Sequence, residues 1–256
     1  MGSEMCIRDR FMTGPDSGID PVSIVAGAAN ALPAGVGFKG AVDLLVLLTV
    51  LSLAPAILML CTCFTRVVVV LGLLRQAVGA QAMPPTQVIV GLSLLLTMAA
   101  MAPTFTRAWD AGVKPYMDGT TTNPEEAWGA ARQPLRDFMF AQIDACGNWQ
   151  TVYMLLEHRG VDVSDTSKLT RADVDMATLV PAFVLSELKT AFLIGFRIFL
   201  PFVVVDLVVA GILVSLGMFM VPPSMVSMPL KLLLFVLADG WTLVAGSILA
   251  GVAAVT

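Results

Sequence analysis

LVPAFVLSELKTAFLIGFRIFLPFVVVDLVVAGILVSLGMFMVPP, Leu179–Pro223, decides how the rest of the chain is read. It is apolar enough to enter a bilayer, yet it carries Glu187, Lys189, Arg197 and Asp206. An ionisable side chain at the centre of a membrane helix costs about 2.5–3.5 kcal/mol on insertion scales, so such groups mark buried partners or aqueous pathways. Four of them within twenty residues predict a helix that packs against protein more than against lipid. On an ideal helix Glu187 and Lys189 lie about 200° apart and cannot bond each other. Each needs a partner on another segment or another chain. Snorkelling to a headgroup layer is the plainer alternative, but apolar residues flank both on either side.

Composition agrees with a membrane protein. Of 256 residues, 57% are hydrophobic and 13% charged, and the mean hydropathy is +0.85. Charged residues approach a quarter in soluble domains. The net charge of −4 is carried entirely by Thr104–Thr178, with seven basic and eleven acidic residues. There is no basic stripe for nucleic acid. Cys61 and Cys63 lie in an apolar run without a neighbouring His or carboxylate, so they read as core hydrophobes rather than metal ligands. Neither metal nor cofactor is expected.

Residues 1–40 form an atypical N-terminus. MGSEMCIRDR matches nothing that follows and is set aside. Val22–Ala31 ends in Ala29-Asn30-Ala31, which reads equally as the remnant of a secretory signal with an A-x-A site or as a small-residue linker. Residues 41–103 are assigned to a first apolar hairpin. Leu44–Phe64 is a spanning candidate by length, and Val88–Pro103 is a second run closed by Pro103. Arg66 and Arg75 lie between them and are assigned to the cytoplasmic side by the positive-inside rule.

Residues 104–178 then fall outside, in a bacterium the periplasm, as a small helical domain. Asn123 caps a helix that starts at Pro124, and a second helix covers Trp149–His158. His158, the one histidine, reads as a solvated helix-end residue. Residues 179–256 form a second apolar region broken by Pro222 and Pro223. Its last part carries Lys231 and Asp239, too far apart along one helix to pair, and a small-residue stripe of Gly246, Ala250 and Ala254. The expected fold is all-α: a polytopic membrane protein of apolar helical hairpins with a small extracytoplasmic helical domain.

Three ordered blocks, Ser52–Thr97, Leu179–Ala210 and Leu216–Trp241, resemble the FliP family of flagellar export-gate proteins. That family is akin to the SctR family of virulence type III secretion. The likeness runs from about Val42 to the end and is weakest in Thr104–Thr178. Phe64-Thr65-Arg66 and Leu74-Arg75-Gln76 look like the flagellar branch, where the virulence branch tends to carry Lys and Asn.

The resemblance implies a helical homo-pentamer in the flagellar basal body of the inner membrane. With FliQ-like and FliR-like subunits it would form the entry pore for unfolded export substrates. FlhA-like and FlhB-like components and a cytoplasmic ATPase would complete the apparatus. It implies a pore constriction at Met218, Phe219 and Met220, shaped by Pro222 and Pro223; the family's run is all methionine, and Phe219 departs from it. Flexible thioethers deform around a passing chain and reseal, and phenylalanine makes such a seal stiffer. Glu187 and Lys189 are assigned to inter-subunit or buried polar contacts, as are Arg66 and Asp206. A solute transporter or proton channel could use Glu187, Lys189 and Asp206, but no internal repeat of broken helices is visible. A membrane enzyme lacks a catalytic cluster or a nucleotide-binding glycine motif. A purely structural anchor is a further alternative, for which four charges in apolar helices are expensive.

Overall fold

In the computed structural model, residues 59–79, 84–163 and 170–252 are described, with isolated positions 44, 45, 48, 49, 52, 53 and 56. Part of the spanning candidate Leu44–Phe64, the N-terminal signal or linker reading and Ala254 lie outside them. The chain divides after Ala54; the architecture below is that of the unit Pro55–Thr256. Every regular element among the described residues is helical.

The helices are α1 (Phe64–Val78), α2 (Thr86–Ala108), α3 (Lys114–Met117), α4 (Pro124–Cys146), α5 (Trp149–His158), α6 (Met176–Ser215), α7 (Pro223–Leu237) and α8 (Gly240–Ala250). A π-helical turn, Trp109–Val113, joins α2 to α3 without a break. The expected close at Pro103 is absent. Proline removes one backbone donor and frees the carbonyl four residues back, which usually kinks a helix, but here the helix runs on. Thr106 Oγ1 donates back to Ala102 O at 2.9 Å, and the continuous helix reaches Met117. A boundary drawn between residues 103 and 104 therefore falls inside a helix, and one between 178 and 179 falls inside α6. The apolar run before α1 also ends earlier than expected, in a turn at 61–63, and the helix restarts at Phe64.

One cap and one helix sit where the sequence places them. Asn123 Oδ1 accepts from Glu125 N at 3.1 Å ahead of Pro124. Helix α5 spans Trp149–His158, with His158 exposed at its end. A second cap is Asp175, which accepts from Thr178 N at 3.0 Å at the start of α6. The Arg159 guanidinium hydrogen-bonded to it, helped by the Thr178 hydroxyl, holds its carboxyl well below the usual carboxylate range.

Helix α6 organises the packing. It carries α1, α5 and α7 along its length, with α4 also against it, and α2 packs on α1 and α4. The core lies between these helices: Val67, Val70 and Leu74 of α1, Phe138 and Ile143 of α4, Leu179 and Phe183 of α6. Phe138 meets Phe183 edge to face at 6.0 Å. Burying each such side chain contributes about 1.5–3 kcal/mol.

Among the described residues, two helices, Thr86–Met117 and Met176–Ser215, are long and apolar enough to cross a membrane. The pair α7 and α8, bent by 66°, is a third if counted as one broken span. The bend is made at Ala238 and Asp239, the latter at φ 49°, a left-handed conformation that short polar side chains tolerate. At a rise of about 1.5 Å per residue, the 40 residues of α6 extend about 60 Å. A hydrocarbon core is about 30 Å thick. About half of α6 therefore needs surroundings other than lipid tails.

Candidate functional site: a buried polar cluster and an exposed methionine turn

Arg66 enters the core from the first turn of α1, and Glu187 from the middle of α6. Their positions follow from the helix period: Arg66 shares the buried face of α1 with Val70 and Leu74, and Glu187 that of α6 with Phe183 and Ala191. Both side chains are 0% exposed, and Arg66 Nη2 donates to Glu187 Oε1 at 2.7 Å. Nη1 donates to the carbonyl of Gly251, past the end of α8. Gln142 Nε2 donates to the same carbonyl at 2.8 Å. Cys146 Sγ lies 3.4 Å from Arg66 Nη2 and 3.5 Å from Gln142 Nε2. The pair is held by one oxygen rather than by the two-pronged fork. Arg66 Nε and Glu187 Oε2 have no protein partner among the described residues.

This arrangement changes the reading of both charges. Glu187 needed a partner on another segment or another chain, and it finds one on α1 of its own chain. Arg66, counted as a cytoplasmic-side marker, sits in the protein interior instead. A buried, paired arginine casts no vote under the positive-inside rule, which concerns flanking loops. Removing either group would strand its partner, which is why such pairs are costly to break and weak evidence for net stability.

A second polar clip joins α6 to α7. Lys231 Nζ donates to Asp206 Oδ2 and Ser227 Oγ to Asp206 Oδ1, both at 2.6 Å. Lys231 is nearly buried and Asp206 half-exposed. Asp239 lies about two turns further along the chain from Lys231, too far to pair; the actual partner is on the neighbouring helix, where sequence spacing gives no sign of it.

Beyond the clip the chain turns. Gly217, at φ 75°, ends α6 with Met218 N donating to Leu213 O at 2.9 Å and its own N–H to Val214 O at 3.0 Å. This left-handed closure is one that glycine makes without strain. Pro222 caps α7 and Pro223 is its first residue. Between them Met218, Phe219 and Met220 are 45%, 77% and 96% exposed. Lys189 and Arg197 are also exposed, on an α6 face shared with Phe192, Phe196 and Leu200. Neither makes an ion pair among the described residues.

The model of the FliP family matches residues 47–248, a stretch that holds the buried pair, the clip and the methionine turn. The chain belongs to the FliP family. It is 46% identical over 233 residues to the flagellar biosynthetic protein FliP of Caulobacter vibrioides, covering 90% of this chain and 84% of that one. Against the flagellar biosynthetic protein FliP of Bacillus subtilis it is 46% identical over 208 residues, 81% and 90% of the two chains. With that of Aquifex aeolicus it shares 40% over 232 residues, 91% of each. The three residues read as a constriction thus lie within the stretch that the FliP family model covers.

Gln142, Cys146, Gly251 and Ser227 were not singled out from the sequence. Gln142 and Cys146 are four apart and so share a helix face, the one available hint. Gly251 contributes a backbone carbonyl, which no side-chain pattern reveals.

Proposed function

We propose that the chain is a subunit of the flagellar type III export gate, forming the pore through which unfolded flagellar proteins cross the inner membrane. The observation that carries this is the family match across residues 47–248, joined to relatives named as flagellar biosynthetic proteins along most of their length. The virulence-secretion alternative is not favoured by those names. In this reading the chain assembles as a homo-pentamer with FliQ-like and FliR-like subunits and works beside FlhA-like and FlhB-like components. The helical segment between α3 and the start of α6 faces the periplasm.

Physical features support the assignment. The outward face of α6 is apolar yet carries Lys189 and Arg197, unpaired among the described residues, which suits a neighbouring protein surface better than lipid tails. The length of α6 suits a helix that continues beyond the bilayer within an assembly. Met218, Phe219 and Met220 stand on a turn that buries none of them, so a ring of such turns would close an apolar constriction. Glu187 and Arg66 hold the subunit's own shape, and the inter-subunit role falls to Lys189. Native mass measurement of the detergent-extracted protein, alone and with its FliQ-like and FliR-like counterparts, tests the reading. A pentamer or a larger mixed complex is expected; a stable monomer indifferent to those partners overturns it.

The constriction has its own test. A Met218→Ala, Met220→Ala variant removes the flexible thioethers while leaving Gly217 and the prolines in place. Ion leakage through the assembled gate should rise several-fold over wild type, measured as dissipation of an ion gradient in vesicles. Leakage equal to wild type removes the sealing role.

A further inference from the structure

An apolar groove of about 710 Å³ opens between the α1–α2 turn and the bend of α7 into α8. This is a normal size for a ligand site, where a few polar groups among apolar walls fix orientation. Leu74, Val88 and Leu92 form one wall, and Leu232, Phe235 and Trp241 the other. Arg75 is the one ionisable residue among those lining it. Its Nη1 donates to Thr86 Oγ1 at 3.2 Å and to Pro84 O at 3.4 Å. Both acceptors are neutral. They aim the guanidinium without cancelling its charge, and no carboxylate among the described residues pairs with it.

We propose that this groove binds one anionic phospholipid, its acyl chain between the α1–α2 wall and the α7–α8 wall and its phosphate on Arg75. The charge pattern selects the occupant. A long apolar wall with a single uncompensated cation at its edge complements a molecule that is apolar along its length and anionic at one end. Guanidinium groups bind phosphate oxygens through paired donors. The chain's own membrane-length helices supply the setting in which such a lipid is at hand. The inference rests on membrane embedding alone and not on the gate reading.

The experiment uses the full chain in nanodiscs of mixed phosphatidylglycerol and phosphatidylcholine, a portion of each carrying a photoactivatable group at the acyl end. Native mass spectrometry after transfer to mild detergent counts retained lipid, and mapped cross-links locate it. Wild type should keep phosphatidylglycerol in preference to phosphatidylcholine, with cross-links on Leu232 or its neighbours. Arg75→Gln should lower phosphatidylglycerol retention about tenfold, as loss of a charge-assisted contact does, and Arg75→Lys should recover part of it. Val88→Trp, at an exposed edge where folding is not at risk, should exclude both lipids. Equal retention of the two lipids, retention unchanged in Arg75→Gln, or displacement by inorganic phosphate alone would overturn the proposal. So would cross-links that avoid the groove because a protein helix fills it.

Discussion

Glu187→Ala should leave almost no well-folded protein in detergent extracts. The variant strands Arg66, fully buried, and leaves its guanidinium the Gly251 carbonyl and the Cys146 sulfur among the described residues. Breaking a buried pair by removing one partner costs about 3–5 kcal/mol. That is a large share of the roughly 5–15 kcal/mol by which folded domains exceed their unfolded states. Glu187→Lys should be worse, because it sets two cations within a few ångströms in the same apolar site. The double variant Arg66→Met, Glu187→Leu removes both charges at similar volume and should restore most of the yield, since apolar replacement of a buried pair is often neutral. Lys189→Glu is the contrast. Exposed and unpaired in the subunit, it should leave monomer yield intact and reduce assembly with neighbours. The measurements are the monodisperse fraction on size exclusion and swarming of a complemented null strain. Wild-type yield from Glu187→Ala would show that the pair does not hold the core.

The second large effect is expected at Gly112, in the π turn where the long helix of Thr86–Met117 crosses α4. A Cβ built there would lie 2.5 Å from the Ala127 carbonyl oxygen, 2.5 Å from Ala131 Cβ and 2.7 Å from Ala131 N. Two of those three atoms are backbone, so no rotamer change relieves the clash and α4 must move as a body. Overpacking of this kind costs about 1–3 kcal/mol, occasionally more. Gly112→Ala should therefore lower the unfolding temperature in detergent clearly, and Gly112→Val should prevent folding. Gly91, in the same continuous helix, has nothing within 4 Å of its would-be Cβ. Gly91→Ala should leave stability unchanged or raise it by up to about 1 kcal/mol through helix propensity. If the two alanine variants melt alike, α4 does not rest on the π turn as described.

How much of this was legible beforehand depended on the range of the interaction. The cap at Asn123, the extent of α5 and the break at Pro222-Pro223 are set by neighbours in sequence, and each stands where the residues place it. The need of Glu187 for a partner was legible from its cost in an apolar helix. The identity of that partner was not, because 121 residues separate Arg66 from Glu187 and neither residue's surroundings in sequence point to the other. Arg66 was misplaced for a related reason: between two apolar runs it looks like a topological charge, and only packing reveals it as an internal one. Lys231 was read along its own helix, while its carboxylate stood on the next. Pro103 misled because a proline's local penalty is a tendency that flanking helix and tertiary contacts can override. The methionine turn was found through a family likeness; by itself a pair of methionines beside a proline pair says nothing of exposure.

The Gly251 carbonyl, shared by Arg66 and Gln142, gives the subunit a timetable. At a synthesis rate of about 5–20 residues per second, the 64 residues from Glu187 to Gly251 take on the order of 3–13 s to emerge. Helix packing is far faster than that. During this interval the nascent chain holds a charged pair whose last acceptor has not yet been made, while α6 itself is still being extended to Ser215. Its interior is completed by a carbonyl made 64 residues after the carboxylate of the pair.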